Sequence, residues 1–102
     1  GLAKLAAWLD ARKQPRDSLP GVLELPASFM EIGDSERVEQ AYLLSYAFVD
    51  HVVTFHGLGP VMDWIVEVGA KPVDEAYRSA TGRTLADEEA LFREQLRLSG
   101  RR

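Results

Sequence analysis

The sequence predicts an all-α fold, a compact bundle of five or six short helices around a central helix at about residues 35–56. Apolar residues recur at spacings of three and four in several segments, and glycine or proline marks the junctions between those segments. No segment alternates apolar and polar residues as a half-buried strand would. The chain's 102 residues suffice for one domain and are too few for two, so residues 1–102 are expected to form a single helical domain.

The composition excludes several classes of function. Hydrophobic residues make up 46% of the chain and charged residues 27%, which is typical of a globular domain. Sixteen acidic residues outnumber twelve Lys and Arg, so we expect neither nucleic acid nor a membrane surface as a partner. No apolar run approaches the roughly 20 residues that cross a bilayer. Cysteine is absent, which excludes disulfides and thiolate ligands but leaves the cellular compartment undetermined.

The N-terminal third contains one predicted helix and one ambiguous segment. Residues 2 to 13 carry leucine at helical spacing and are expected to form the first helix, followed by a loop at residues 15 to 21. The next apolar residues fit either the start of a short strand or a short helix. Pro26 suits the first turn of a helix, so a helix at residues 25 to 31 that ends at Gly33 is preferred.

Residues 35 to 56 form the longest predicted helix. Asp34 or Ser35 can cap its start, and Gly57 is the expected C-terminal stop. Apolar side chains extend almost around the whole cylinder, which predicts packing on more than one face. The stripe expected to face the core consists of Val38, Ala41, Tyr42, Ser45, Val49, Val52 and His56.

Three further helices are predicted in the C-terminal half. The first two begin at Pro60 and Pro72 and end at Gly69 and Gly82, and the third follows a capping-box-like Thr84. The residues expected to be buried are Val61, Met62, Ile65 and Val66 in the first, Val73, Ala76, Tyr77 and Ala80 in the second, and Leu85, Phe92 and Leu96 in the third.

The two histidines do not predict a metal site. His51 and His56 are spaced by five, about 140° apart on a helix, whereas the His-Glu-x-x-His motif needs a spacing of four. We expect His51 to lie on the surface beside Asp50, and His56 to be favoured by the helix dipole at the C-terminus. No residue of this chain is predicted to be catalytic, to bind a cofactor or to ligate a metal.

Three hydroxyl-bearing residues on the central helix are the candidate site residues. Tyr42, Ser45 and Tyr46 lie on an otherwise apolar helix, and their hydroxyls need hydrogen-bond partners if they are buried. Either they bond to carbonyl groups of a neighbouring loop, or at least one of them faces a cleft.

The chain resembles the C-terminal helical part of peptidase MA-like, gluzincin-type zinc metallopeptidases. The resemblance rests on residues 41–49, Ala-Tyr-Leu-Leu-Ser-Tyr-Ala-Phe-Val, preceded by Leu-Pro-Ala-Ser-Phe at residues 25–29. It covers about residues 22 to 98, and its motifs are packing features rather than catalytic residues. Its further elements are Gly57, Gly59, the segment Asp74-Glu75-Ala76-Tyr77, Gly82, Leu85, Phe92 and Leu96.

The resemblance implies a helical lobe that forms one wall of a substrate cleft. The family's His-Glu-x-x-His helix and its glutamate ligand lie N-terminal to this region, so zinc is implied only for a longer parent protein. Phe92 stands where the family commonly has Trp. The chain begins with Gly1 in helix-like sequence, which we interpret as a fragment of a longer protein. The predicted function is therefore a non-catalytic C-terminal subdomain of a zinc-dependent metallopeptidase.

Other interpretations stay open. The chain is alternatively a free-standing α-helical protein-interaction module, or the lobe of a family member that has lost zinc. If it is an excised lobe, its partner is the remainder of the parent chain or a second copy, and an apolar surface should be exposed. Trp8 is the expected member of that surface, unless it packs within its own domain.

Overall fold

In the computed structural model, which describes residues 2–25 and 31–99 except for the side chain of Leu23, the described chain is helical and contains no strand. This confirms the predicted all-α class. Within the part of the chain that is described up to residue 25, two 3-10 turns, Arg16–Ser18 and Val22–Glu24, follow the first helix. Most of the short helix predicted at residues 25 to 31 falls outside the described residues. The five α-helices are α1 (Leu2–Ala11), α2 (Ser35–His56), α3 (Leu58–Val68), α4 (Val73–Thr81) and α5 (Leu85–Ser99).

The helix ends form as the local sequence predicts. The Asp34 carboxylate accepts a hydrogen bond from the backbone N–H of Glu36 at 2.9 Å and so caps α2. The Thr84 hydroxyl accepts one from the N–H of Asp87 at 3.1 Å and caps α5. Gly82 closes α4 in the left-handed conformation, with φ of 79°, which residues with a Cβ rarely adopt.

The core lies where α1, α2 and α5 meet, and α3 and α4 pack as a pair at one end. Phe48 of α2 and Phe92 of α5 meet edge to face at its centre, with ring centroids 5.4 Å apart. No helix of the described chain has the length and apolar character that crossing a membrane requires. The core residues that are at most 5% exposed include Leu5, Leu9, Leu19, Leu44, Phe48, Val52, Val61, Tyr77, Leu85, Phe92 and Leu96.

The face that α2 buries differs in part from the predicted one. Val52 is fully buried, as predicted, but Tyr42 is 51% exposed and Val49 is 44% exposed. At about 100° per residue these two side chains fall on the side opposite Leu44 and Phe48. The other helices that contact α2 cover only one side of it, so the assignment of Tyr42 and Val49 to the core was wrong.

The predicted buried stripe of α3 is also largely wrong. Val61 is buried, but Met62, Ile65 and Val66 are 51%, 60% and 75% exposed. Helix α3 has neighbours mainly on the side that faces α4 and the end of α2, so the rest of its apolar surface is uncovered. Val73, at the start of α4, is 39% exposed for the same reason, because it lies at the edge of this pair.

Trp8 packs within its own domain. Its side chain is 8% exposed, and its indole Nε1 donates a hydrogen bond to a carboxylate oxygen of Glu39 at 3.0 Å. The guanidinium of Arg12 lies 4.0 Å from the ring centroid, in cation–π geometry. The exposed apolar surface therefore does not include Trp8, and is formed mainly by residues of α2 and α3.

Candidate functional site

The most unusual side chain in the core is the carboxylate of Glu88. It is fully buried, in the first turn of α5. The backbone N–H of Glu88 donates to the carbonyl oxygen of Thr84 at 3.1 Å, so the capped start of the helix holds the residue in register. From that position the side chain points inward, on the same face as Leu85 and Phe92. A buried carboxylate is costly unless donors surround it.

Three donors from two parts of the chain surround this carboxylate. His51 Nε2 lies 3.1 Å from Glu88 Oε1, and His56 Nε2 lies 2.8 Å from Oε2. Arg83 Nε donates to Oε2 at 2.8 Å. An ionised carboxylate only accepts, so each imidazole donates from Nε2. We call Glu88, His51, His56 and Arg83 the Glu88 cluster.

The donors keep Glu88 ionised despite its burial. Burial acts to raise the pKa of Glu88, but the hydrogen bonds and charges of His56, His51 and Arg83 outweigh it, so the pKa is lowered from its ordinary value of 4.5. The carboxylate is therefore negatively charged at neutral pH. The cluster ties the C-terminal turns of α2 to the junction between α4 and α5.

A fifth polar group lies next to the cluster. The hydroxyl of Tyr77 is buried and has no hydrogen-bond partner among the described residues. Burial and the neighbouring Glu88 charge raise the pKa of Tyr77, so its phenol stays neutral. The Tyr77 ring packs edge to face against Trp64, with centroids 4.8 Å apart. This aromatic contact joins α3 to the rest of the domain.

The cluster corrects the prediction for His51. Its side chain is buried rather than on the surface, and its ring packs against Phe48 and Phe92. His56 ends α2 as predicted, but it contacts Glu88 as well as the helix terminus. The described residues contain no group of three or more metal-ligating side chains in metal-binding geometry. The arrangement is a hydrogen-bonded network inside the core, with an obvious structural role.

Glu88 was not among the predicted site residues, because an acidic side chain in the first turn of a helix is ordinarily explained by the helix dipole. A usable signal was present. Leu85, Glu88, Phe92 and Leu96 follow the spacing of a single helix face, so Glu88 lies within an otherwise apolar stripe. A carboxylate at such a position needs a buried donor. The chain's two histidines were among the available candidates, together with its arginines and lysines.

The predicted site residues lie on the outward side of α2. Tyr42 and Tyr46 are 51% and 69% exposed and, with Val49, follow helical spacing along one side. We call these three residues the outer face of α2. Ser45 is partly buried beside it. Tyr46 also borders a surface pocket of about 440 Å³ that is lined by Lys4, Leu43 and Asp50. That one of these hydroxyls faces a substrate cleft stays a prediction.

Comparisons of this chain with protein-family models, with curated proteins and with solved structures found no match. The resemblance to gluzincin-type metallopeptidases therefore stays a prediction from the residues that carry it. The described surface carries two exposed apolar faces, the outer face of α2 and the aliphatic side of α3.

Proposed function

We propose that this chain is the non-catalytic C-terminal helical subdomain of a zinc-dependent metallopeptidase, in which the outer face of α2 forms one wall of the substrate cleft. The observation that carries the proposal is the exposure of this face. A central helix with apolar residues on most sides is normally covered on more than one of them. Here Tyr42, Tyr46 and Val49 are 44% to 69% exposed on the longest helix of the described chain.

The chemistry of this face suits a wall that binds and orients a peptide. Residues four apart on a helix are neighbours, so the two tyrosines present adjacent aromatic surfaces. A tyrosine ring packs against apolar side chains, while its hydroxyl can donate to a peptide carbonyl oxygen. Such a wall needs neither a metal nor a nucleophile of its own. In this proposal the zinc ion and the general base belong to another part of the parent protein.

The core also supports the proposal. Some of the residues that carry the resemblance are core residues, since Ala41, Tyr77 and Phe92 are at most 3% exposed, whereas Tyr42, Tyr46 and Val49 are exposed. Phe92, in place of the family's common Trp, fills its position by packing against Phe48.

The histidines do not offer an alternative zinc site. Each imidazole already donates to the buried Glu88 carboxylate, at 3.1 Å for His51 and 2.8 Å for His56. A structural or catalytic zinc site needs three or four ligands arranged around one point. We therefore expect the isolated chain to bind zinc no better than background in calorimetry and to hydrolyse no peptide.

The decisive experiment uses a longer protein that includes the residues encoded upstream of Gly1. We expect it to hydrolyse peptides in a zinc-dependent reaction. Tyr42→Phe or Tyr46→Phe should lower kcat/KM by about tenfold or more without changing the melting temperature. Tyr77→Phe is the matched control, because it removes a buried hydroxyl that has no hydrogen-bond partner among the described residues. Full activity in both outer-face variants would refute the cleft wall.

A free-standing interaction module is the second candidate. It is favoured by the exposed aliphatic side of α3, which carries no group suited to catalysis. The coding sequence upstream of Gly1 distinguishes the two: a His-Glu-x-x-His motif supports the peptidase subdomain, and a start codon supports the module. A longer protein that folds but binds no zinc would indicate a family member that has lost its metal.

A further inference from the structure

Helix α3 carries a continuous aliphatic stripe that its own domain leaves uncovered. The stripe consists of Leu58, Met62, Ile65 and Val66, which are 63%, 51%, 60% and 75% exposed. Their spacing of four, three and one places them on one side of the helix, over about two turns. We call this set the α3 stripe. It lies on a different helix from the outer face of α2, so an inference from it does not depend on the proposed function.

The α3 stripe contains no charge. The two charged residues of α3 are Asp63 and Glu67; at about 100° per residue Glu67 falls on the far side of the helix, whereas Asp63 borders the stripe beside Val66. Glu67 is directed towards α4, where it accepts a hydrogen bond from the hydroxyl of Ser79 at 3.3 Å. It also lies 4.0 Å from the ammonium group of Lys71. The stripe itself therefore contains no ionised group, and Asp63 at its edge can stay in contact with water, which lowers a main cost of association.

We propose that the α3 stripe pairs with the same stripe of a second copy of this chain. The two helices lie antiparallel about a two-fold axis near Met62 and Ile65. In such an isologous contact every residue meets a residue of the same set, so an uncharged aliphatic surface is its own complement. Antiparallel helices also bring the positive end of one dipole close to the negative end of the other.

The exposed area is sufficient for a weak dimer. Four aliphatic side chains that are half to three-quarters exposed present roughly 400 Å² per copy, which is within the range of the largest apolar patch on a monomer. The neighbouring Gly59, Asp63 and Gly69 are exposed and would form the rim. Together they bring the total buried area of two copies to about 1,000 Å², the lower limit of a specific interface. We therefore expect association that depends on concentration, rather than an obligate dimer.

Sedimentation equilibrium tests the pairing. The weight-average mass should rise from the monomer value of 11.4 kDa towards twice that value between about 10 µM and about 1 mM. Ile65→Lys, which places a charge in the stripe, should raise the dissociation constant by about tenfold or more. Leu98→Lys is the matched control, because Leu98 is an aliphatic residue of α5 that is 45% exposed. It should leave the constant unchanged.

Cross-linking keeps the proposal testable if Ile65→Lys does not fold. The chain contains no cysteine, so Met62→Cys introduces a single thiol near the proposed axis. It should form a disulfide-linked dimer under mild oxidation much faster than Leu98→Cys. Any one of three results would overturn the proposal. The wild-type chain stays monomeric at about 1 mM, both lysine variants weaken association equally, or both cysteine variants cross-link at equal rates.

Discussion

Replacing Glu88 with Gln tests how much the buried cluster contributes to stability. The substitution keeps the shape of the side chain and removes its charge. In the native protein one carboxylate accepts hydrogen bonds from His51, His56 and Arg83 at 2.8 to 3.1 Å. A Gln side chain has a single carbonyl oxygen, so its NH₂ group faces a group that had donated to the carboxylate, and an imidazole there must either take its other tautomer or lose its acceptor. We expect the Glu88→Gln variant to be clearly less stable than the wild type.

The magnitude follows from the burial of the three donors. The Arg83 side chain is 44% exposed and can turn to water, so we assign it little of the effect. His51 and His56 are 5% and 18% exposed, and only one of them can keep a carbonyl acceptor. A buried donor without a partner costs about 1–3 kcal/mol, and the remaining hydrogen bond loses its charge assistance. The expected loss in the free energy of unfolding is about 2–4 kcal/mol at neutral pH.

Urea denaturation, followed by circular dichroism, measures this loss. Glu94→Gln is the control on the same helix, because that carboxylate is 49% exposed and pairs with Arg97. It should change the free energy of unfolding by no more than about 0.5 kcal/mol. If Glu88→Gln were as stable as Glu94→Gln, the cluster would contribute nothing net, and the reasoning from unsatisfied donors would be refuted.

Two further predictions concern acid stability and the faces of α2. Burial acts to raise the pKa of Glu88, but its partners hold it below 4.5 in the folded protein. The stability that ionised Glu88 contributes is therefore complete above pH 4.5 and is lost as the pH falls through the lower folded-state pKa. The stability difference between wild type and Glu88→Gln should narrow over that interval, and a constant difference in denaturation curves would contradict this. Val52→Ala should lower the free energy of unfolding, measured by urea denaturation, by about 2 kcal/mol, because Val52 is fully buried. Val49→Ala should change it by no more than about 0.5 kcal/mol, because Val49 is exposed. Equal losses in the two variants would show that both valines are equally packed.

The helices and most of their ends could be predicted from the sequence because the interactions that form them are local. The Asp34 and Thr84 caps each use a backbone N–H within three residues, and the left-handed conformation at Gly82 depends on the absence of a Cβ. Such contacts form whatever the rest of the chain does. The contact between Phe48 and Phe92 could not be predicted in the same way, because helical spacing placed Phe92 in the core but did not identify the residue that it packs against.

Where apolar residues surround a helix, the sequence could not show which face of that helix is buried. On α2 the pattern allowed Tyr42 and Val49 to be core residues, and on α3 it allowed Met62 and Ile65. The side chain at each of these positions is apolar enough to be buried. Whether it is exposed depends on whether another helix packs against that side. The structure places α1 and α5 on only one side of α2, and leaves one side of α3 uncovered.

By itself the sequence determined that this chain is all-α, where most of its described helices lie to within about two residues, and that it has no cysteine chemistry. The tertiary structure alone decided that His51 is a core residue, because its partner Glu88 lies 37 residues away and on another helix. It also decided that the outer face of α2 and the α3 stripe are exposed. Local hydrogen bonds and backbone sterics act over about four residues, whereas burial is a property of all the helices packed together.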